Sequence, residues 1–127
     1  MSSAKRFEDL VAWQKARLLA NDVYRITREG PLARDFGLRD QMQRAAVSVA
    51  SNIAEGFERE TIPDFIHFLF VAKGSAGELR TQLYLALDQQ LVGKDVAERL
   101  IDEARHVSIV ISHLIGYLKT RTNAPQR

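Results

Sequence analysis

Apolar positions along this chain recur at three- and four-residue steps in four long segments, and no period of two persists long enough to argue a strand. The first segment covers about residues 8–29, with Trp13, Ala16, Ala20 and Val23 on one stripe, and the Gly30-Pro31 pair ends it. The second covers about residues 38–59. Thr61, Pro63 and Asp64 then form a capping-box pattern: threonine at the N-cap, proline in the first turn, an acid three residues on. That opens a third segment through Phe65, Phe68 and Phe70 to about residue 90. After Gly93, Lys94 and Asp95 the fourth carries Ala97, Leu100, Ala104, Val107, Ile111, Leu114 and Leu118. Four helices with short connections favour antiparallel neighbours, so the fold class is all-α, an up-down-up-down four-helix bundle. One domain spans residues 1–127, with the bundle over 7–118 and a basic, flexible tail over 119–127.

Two stretches, residues 41–56 and 72–79, are poor in large side chains. From Ala45 to Ala54 no side chain ionises, which predicts a helix buried on more than one side. Gln41, Arg44, Ser48, Asn52 and Glu55 fall on one polar stripe of that helix. With the hairpin turn centred near residues 60–62, Ala45 faces Gly77, Ser48 faces Gly74, and Arg44 faces Glu78. A mid-helix glycine costs ~1 kcal/mol relative to alanine, so Gly74 and Gly77 are expected where two backbones approach closely. Arg44 and Glu78 are expected to form a buried ion pair with a structural role, since a carboxylate neutralised by arginine is a poor acid or base. The fourth helix is apolar nearly all round near its end, and Val11 and Leu18 lie seven apart, away from the Trp13 stripe. These surplus apolar faces predict self-association, with Val11 and Leu18 in the seam.

Composition narrows the chemistry further. The chain has no cysteine, which excludes thiolate catalysis and cysteine-rich zinc sites and agrees with a reducing cytoplasm. No run of ~18 apolar residues and no signal-like stretch occurs, so a soluble, cytoplasmic protein away from membranes is expected. Net charge is +2, unevenly placed. All sixteen acids lie between Phe7 and Leu118, where thirteen bases leave the body at −3, while Lys5, Arg6, Lys119, Arg121 and Arg127 give the two ends +5. Those five residues are the candidate phosphate contacts.

Glu103 and His106 have the spacing of a di-iron bundle ligand pair, but such a site needs a second pair and two further glutamates. No metal or cofactor is therefore expected. No glycine loop precedes a helix to cradle phosphate, and residues 44–56 lack the turn glycine of a helix-turn-helix. No catalytic constellation emerges, and a non-enzymatic protein is expected.

Several elements together resemble a known family. They are Phe7, Leu10 and Trp13; Phe36-Gly37-Leu38; Gln41; Arg44-Ala45-Ala46-Val47-Ser48; Asn52-Ile53-Ala54-Glu55-Gly56; Phe65 and Phe68; and Ala72, Gly74-Ser75 and Glu78-Leu79. The family is that of the four-helix-bundle proteins, also called the 23S rRNA intervening-sequence proteins, and the likeness covers roughly residues 7–118. Gln90-Leu91-Val92-Gly93 departs from the glycine-tyrosine turn usual after the third helix. The resemblance implies a ring-like homopentamer, encoded within ribosomal RNA genes or by stand-alone genes. A related group, the accessory proteins of diversity-generating retroelements, binds nucleic acid and a reverse transcriptase. Arg44, Ser48, Asn52, Glu55, Gly74, Gly77 and Glu78 carry over as parts that hold the bundle together. The function so implied is a non-enzymatic, homo-oligomeric nucleic-acid-binding or scaffold protein, with RNA ahead of DNA. The alternative is a protein-binding adaptor, for example for a reverse transcriptase, that does not itself touch nucleic acid.

Overall fold

A computed structural model describes residues 4–122, all helix and turn with no strand among them. A short 3-10 turn, Phe7–Asp9, leads into α1, Val11–Thr27. A second, Pro31–Arg34, precedes α2, Phe36–Phe57; α3 is Ile62–Asp88 and α4 is Lys94–Thr122. Each helix packs on its neighbours in sequence, and α1 closes on α4. Short connections between packed neighbours make successive helices antiparallel, so α4 ends at the end of the bundle where α1 begins.

Local chemistry accounts for the boundaries. Thr27 at the end of α1 turns its hydroxyl back to the Val23 carbonyl at 2.8 Å, and Gly30 takes the left-handed φ of 59° that reverses the chain before Pro31. Asp35 caps α2 by accepting the Leu38 backbone N–H at 3.1 Å, which starts that helix two residues before the sequence pattern does. Thr61 caps α3 as expected, accepting the Asp64 N–H at 3.2 Å. The far end of α3 is a Schellman motif on a non-glycine residue. Gln90 has φ 59°, Leu91 N–H reaches the Ala86 carbonyl, and Gln90 N–H reaches that of Leu87.

The core is built from Leu19, Val23, Leu32, Met42, Ile53, Leu69, Leu79, Leu83, Leu100 and Ile111, all fully buried. On α1 the buried stripe is Ala12, Ala16, Leu19, Val23 and Ile26; Trp13 and Ala20 flank it, half-buried. On α4 the expected surplus is consumed inside the bundle: Val107, Ile111, Leu114, Ile115 and Leu118 are buried, and Ile109 is the large apolar side chain left exposed. The surplus lies instead on α3, where Phe70, Val71, Tyr84 and Leu85 face outward.

The α2/α3 seam is the most extensive helix contact, but its register differs from the expected one. Ser48 meets Ser75, not Gly74, with the two hydroxyl oxygens 2.8 Å apart. A one-residue shift turns a helix by about 100°. Gly74 and Gly77 consequently face outward, and a Cβ on either would meet nothing within 4 Å. The expected close approach at these two glycines is thus corrected. It occurs at Gly56, where a Cβ would sit 2.9 Å from Phe65 Cδ1 and 2.9 Å from Phe68 Cβ. The same rotation undoes the buried ion pair. Arg44 and Glu78 are both exposed, lining one groove without an ion pair to each other within 4 Å.

Candidate functional site

Three outward regions gather the residues singled out by sequence. The first is the end of the bundle where the chain enters α1 and leaves α4. Lys119 and Arg121 lie in the last turn of α4, which corrects the flexible tail from residue 119. Arg127 falls outside the described residues. Several of these groups are already engaged. The Lys5 backbone N–H donates to the Asp9 carboxylate at 3.2 Å, and Arg6 reaches the same carboxylate at 3.4 Å. Together they hold the Asp9 carboxyl below its ordinary range, the Lys5 N–H having the larger effect. Arg121 donates to the Tyr117 hydroxyl at 2.8 Å, and the Lys119 ammonium stands 5.4 Å over the Phe70 ring. Of the five candidate phosphate contacts, Arg6, Lys119 and Arg121 thus already have partners within the chain.

The second region is the polar groove between α2 and α3. Asn52 donates from Nδ2 to the Ser48 carbonyl at 2.8 Å and to the Ser48 hydroxyl at 2.9 Å, and that hydroxyl is bonded to Ser75. This chain of short polar side chains fastens the two helices where an apolar contact would leave register free. Glu55 belongs to the surface, where it pairs with Arg59 at 2.9 Å, and the Arg59 guanidinium also lies 4.7 Å over Phe68. Ser75 belongs to the Gly74-Ser75 element of the resemblance, but its place in the seam is not legible from sequence because the expected register puts Gly74 opposite Ser48.

The third region is the outer side of α1, which borders α4 on one flank and α2 on the other. Val11 and Leu18 are exposed there, Leu18 at 60%. Toward α4, Asp22 and Glu103 line a groove of about 410 Å³ with Arg99, Asp102, Arg105, His106 and Ile109. Burial, a hydrogen bond with Asp22 and the Asp22 charge push the Glu103 carboxyl up to about 7, against the opposing pull of Arg99 and Arg25. Glu103 and His106 thus share a groove, yet among the described residues no three His, Asp or Glu side chains are grouped to hold a metal ion. Sequence spacing had no means of pairing Asp22 with Glu103, because they lie on different helices. Toward α2, arginines lie over aromatic rings: Arg17 over Trp13 at 5.6 Å, Arg28 over Tyr24 at 5.4 Å, and Arg39 over Phe36 at 4.7 Å.

What these regions offer is recognition chemistry on the outside of a helical bundle: guanidinium groups, ring faces, short hydroxyls and uncovered apolar side chains. Among the described residues no helix is long and apolar enough to cross a membrane. The profile of the 23S rRNA-intervening sequence proteins matches residues 8–113, and the chain belongs to that family. A protein of unknown function from the S23 ribosomal protein family of Bacteroides thetaiotaomicron has the same fold, with a TM-score of 0.76. The likeness covers 83% of this chain and 98% of that one at 20% identity. No curated protein matches the chain.

Proposed function

We propose that this protein is a non-enzymatic, homo-oligomeric scaffold that binds nucleic acid in the cytoplasm, with RNA ahead of DNA. The observation that carries the assembly part is the outward face of α3. Phe70, with Lys119 over its ring, and Val71, Tyr84 and Leu85 are exposed there around the bare backbone of Gly74 and Gly77. A helix apolar on its outer as well as its inner face belongs in the interior of a larger body. Leu18 and Val11 form a smaller apolar face on α1, diagonally across the bundle. Two different faces on opposite helices favour a head-to-tail contact, which closes into a ring when the rotation allows, and the homopentamer is the expected ring. The nucleic-acid part is supported by the family's description and by the clusters of exposed arginine.

Light scattering across micromolar concentrations, combined with RNA binding at two salt concentrations, tests both parts. The expected result is a mass several times that of the 14.4 kDa chain, reduced by Leu85→Asp or Leu18→Asp, and an RNA affinity that falls steeply with salt. A wild-type monomer throughout would overturn the assembly. The adaptor alternative uses the same α3 face for a protein partner, and stable assembly with no nucleic-acid binding at low salt would favour it.

A further inference from the structure

We propose that the trough between α1 and α2, centred on Tyr24, is a binding site for single-stranded nucleic acid. This rests on the nucleic-acid part of the preceding reading and moves its site away from the chain ends. Two depressions, of about 460 Å³ and about 690 Å³, share Tyr24 as a common wall. The first is bounded by Arg44, Val47, Gln43 and Asp40, the second, on the outer side of α1, by Arg25, Arg28 and Glu29. Tyr24 therefore sits between Arg44 of the first depression and Arg28 of the second, with Val47, 43% exposed, as an apolar patch beside it.

The stretch of chain that supplies most of the trough has a basic balance. Residues 11–44 contain seven bases against four acids, whereas residues 55–103 contain five against ten. Three of those four acids are occupied, and the fourth, Glu29, lines the second depression with Arg28. Asp22 pairs with Arg25 at 2.6 Å, Asp40 with Arg39 at 3.1 Å, and Asp35 caps α2. Among the described residues Arg28 and Arg44 have no ion pair within 4 Å, in contrast to Arg6 at the chain end, which is spent on Asp9. Arginine that is not neutralised by its own protein is available to phosphate.

The ring selects the form of nucleic acid. A base stacks on an aromatic face or a guanidinium plane only when it is unpaired, and Tyr24 with Arg28 above it offers both surfaces inside a recess. A duplex would hold its bases away from that recess. No helix or ribbon projects from the bundle here to enter a major groove instead. The trough itself is held open by the helix packing and by Gln43, which donates to the Thr27 hydroxyl at 2.9 Å and fixes the α1/α2 spacing at that level.

The test is fluorescence anisotropy with a labelled oligouridine of about 12 nucleotides, and with a duplex of the same length, on the full chain at two salt concentrations. Arg28→Ala with Arg44→Ala should weaken single-strand binding and reduce the log-log salt slope by about 1.4, two phosphate contacts at about 0.7 each. Tyr24→Leu keeps the apolar bulk and removes the ring; it should weaken binding about tenfold with the slope unchanged. Lys119→Ala with Arg121→Ala should change binding little. Melting curves matching wild type establish that the variants are folded. If wild type binds but the trough variants bind as tightly, the trough is overturned and the broader reading stands. The trough is overturned equally if the duplex binds as well as the single strand and Tyr24→Leu has no effect. If wild type binds neither probe at low salt, both fall.

Discussion

The α2/α3 and α1/α4 seams are built on different principles. The first is wide, free of buried charge, and locked by short side chains: Ser48, Asn52 and Ser75 bonded in a chain, with Gly56 pressed under Phe65 and Phe68. The second is the narrowest of the four neighbour contacts and places two carboxyl groups, Asp22 and Glu103, across a groove. Register in the first is set by shape and hydroxyl bonding, neither of which changes with pH. The second contains a proton that solution conditions can remove.

The largest effect that separates the two is expected at Gly56. Gly56→Val forces side-chain atoms into Phe65 and Phe68 and should destabilise the fold by ~1–3 kcal/mol or more, read as a lower midpoint in urea unfolding. Wild-type stability in this variant would show that the α2/α3 seam is loose. Ser48→Ala removes the hydroxyl shared by Ser75 and Asn52 and should cost about 1 kcal/mol in the same experiment. If the cost vanished, apolar packing alone would be setting the register.

Substitution of the outward glycines sharpens the contrast within α3. Gly77→Ala meets no neighbour in the single chain and should raise helix stability by up to about 1 kcal/mol. A destabilised Gly77→Ala protomer, measured where it is monomeric, would restore the close approach expected at that position.

The smallest expected effect is a pH slope on the α1/α4 seam. Glu103 is held above its ordinary value, so the folded chain binds this proton more tightly than the unfolded chain does. The resulting stability is complete at pH below about 4.5, declines as pH rises, and is lost above about 7. The titratable and charged groups around Glu103 are Asp22 and Arg25 from α1 and Arg99, Asp102, Arg105 and His106 from α4. Glu103→Gln keeps a donor toward Asp22 without the charge. Its melting temperature should match wild type near pH 5 and exceed it near pH 8, and parallel profiles would exclude Glu103 as the source.

The helices were legible in sequence because their signals are local. Apolar periodicity marked four segments, Thr61 and Asp64 marked the start of α3, and Gly30-Pro31 marked the end of α1. The facing of α2 and α3 was not, because register depends on the geometry of the turn between them. A difference of one residue there turns Gly74 and Gly77 out of the seam and leaves Arg44 exposed. The apolar run of α4 is buried rather than surplus for a related reason: periodicity counts apolar positions but not how many neighbours will cover them. Of the site, the polar residues of α2 could be grouped because they share one helix. Asp22 with Glu103, and Tyr24 with Arg44, come together only across helices, and no spacing rule on one sequence links them.

Gly56 also bears on the order in which the chain can assemble. It lies just before the Thr61 cap, so the contacts it makes with Phe65 and Phe68 span about a dozen residues or fewer and close a small loop. Loops of that size close in tens of nanoseconds, far ahead of contacts between the ends of the chain. The α2/α3 hairpin can therefore reach its register while α1 and α4 are still free. The α1/α4 seam joins the two most distant helices in sequence and bears the greatest loop-closure cost, so it is placed to form last and, on unfolding, to open first.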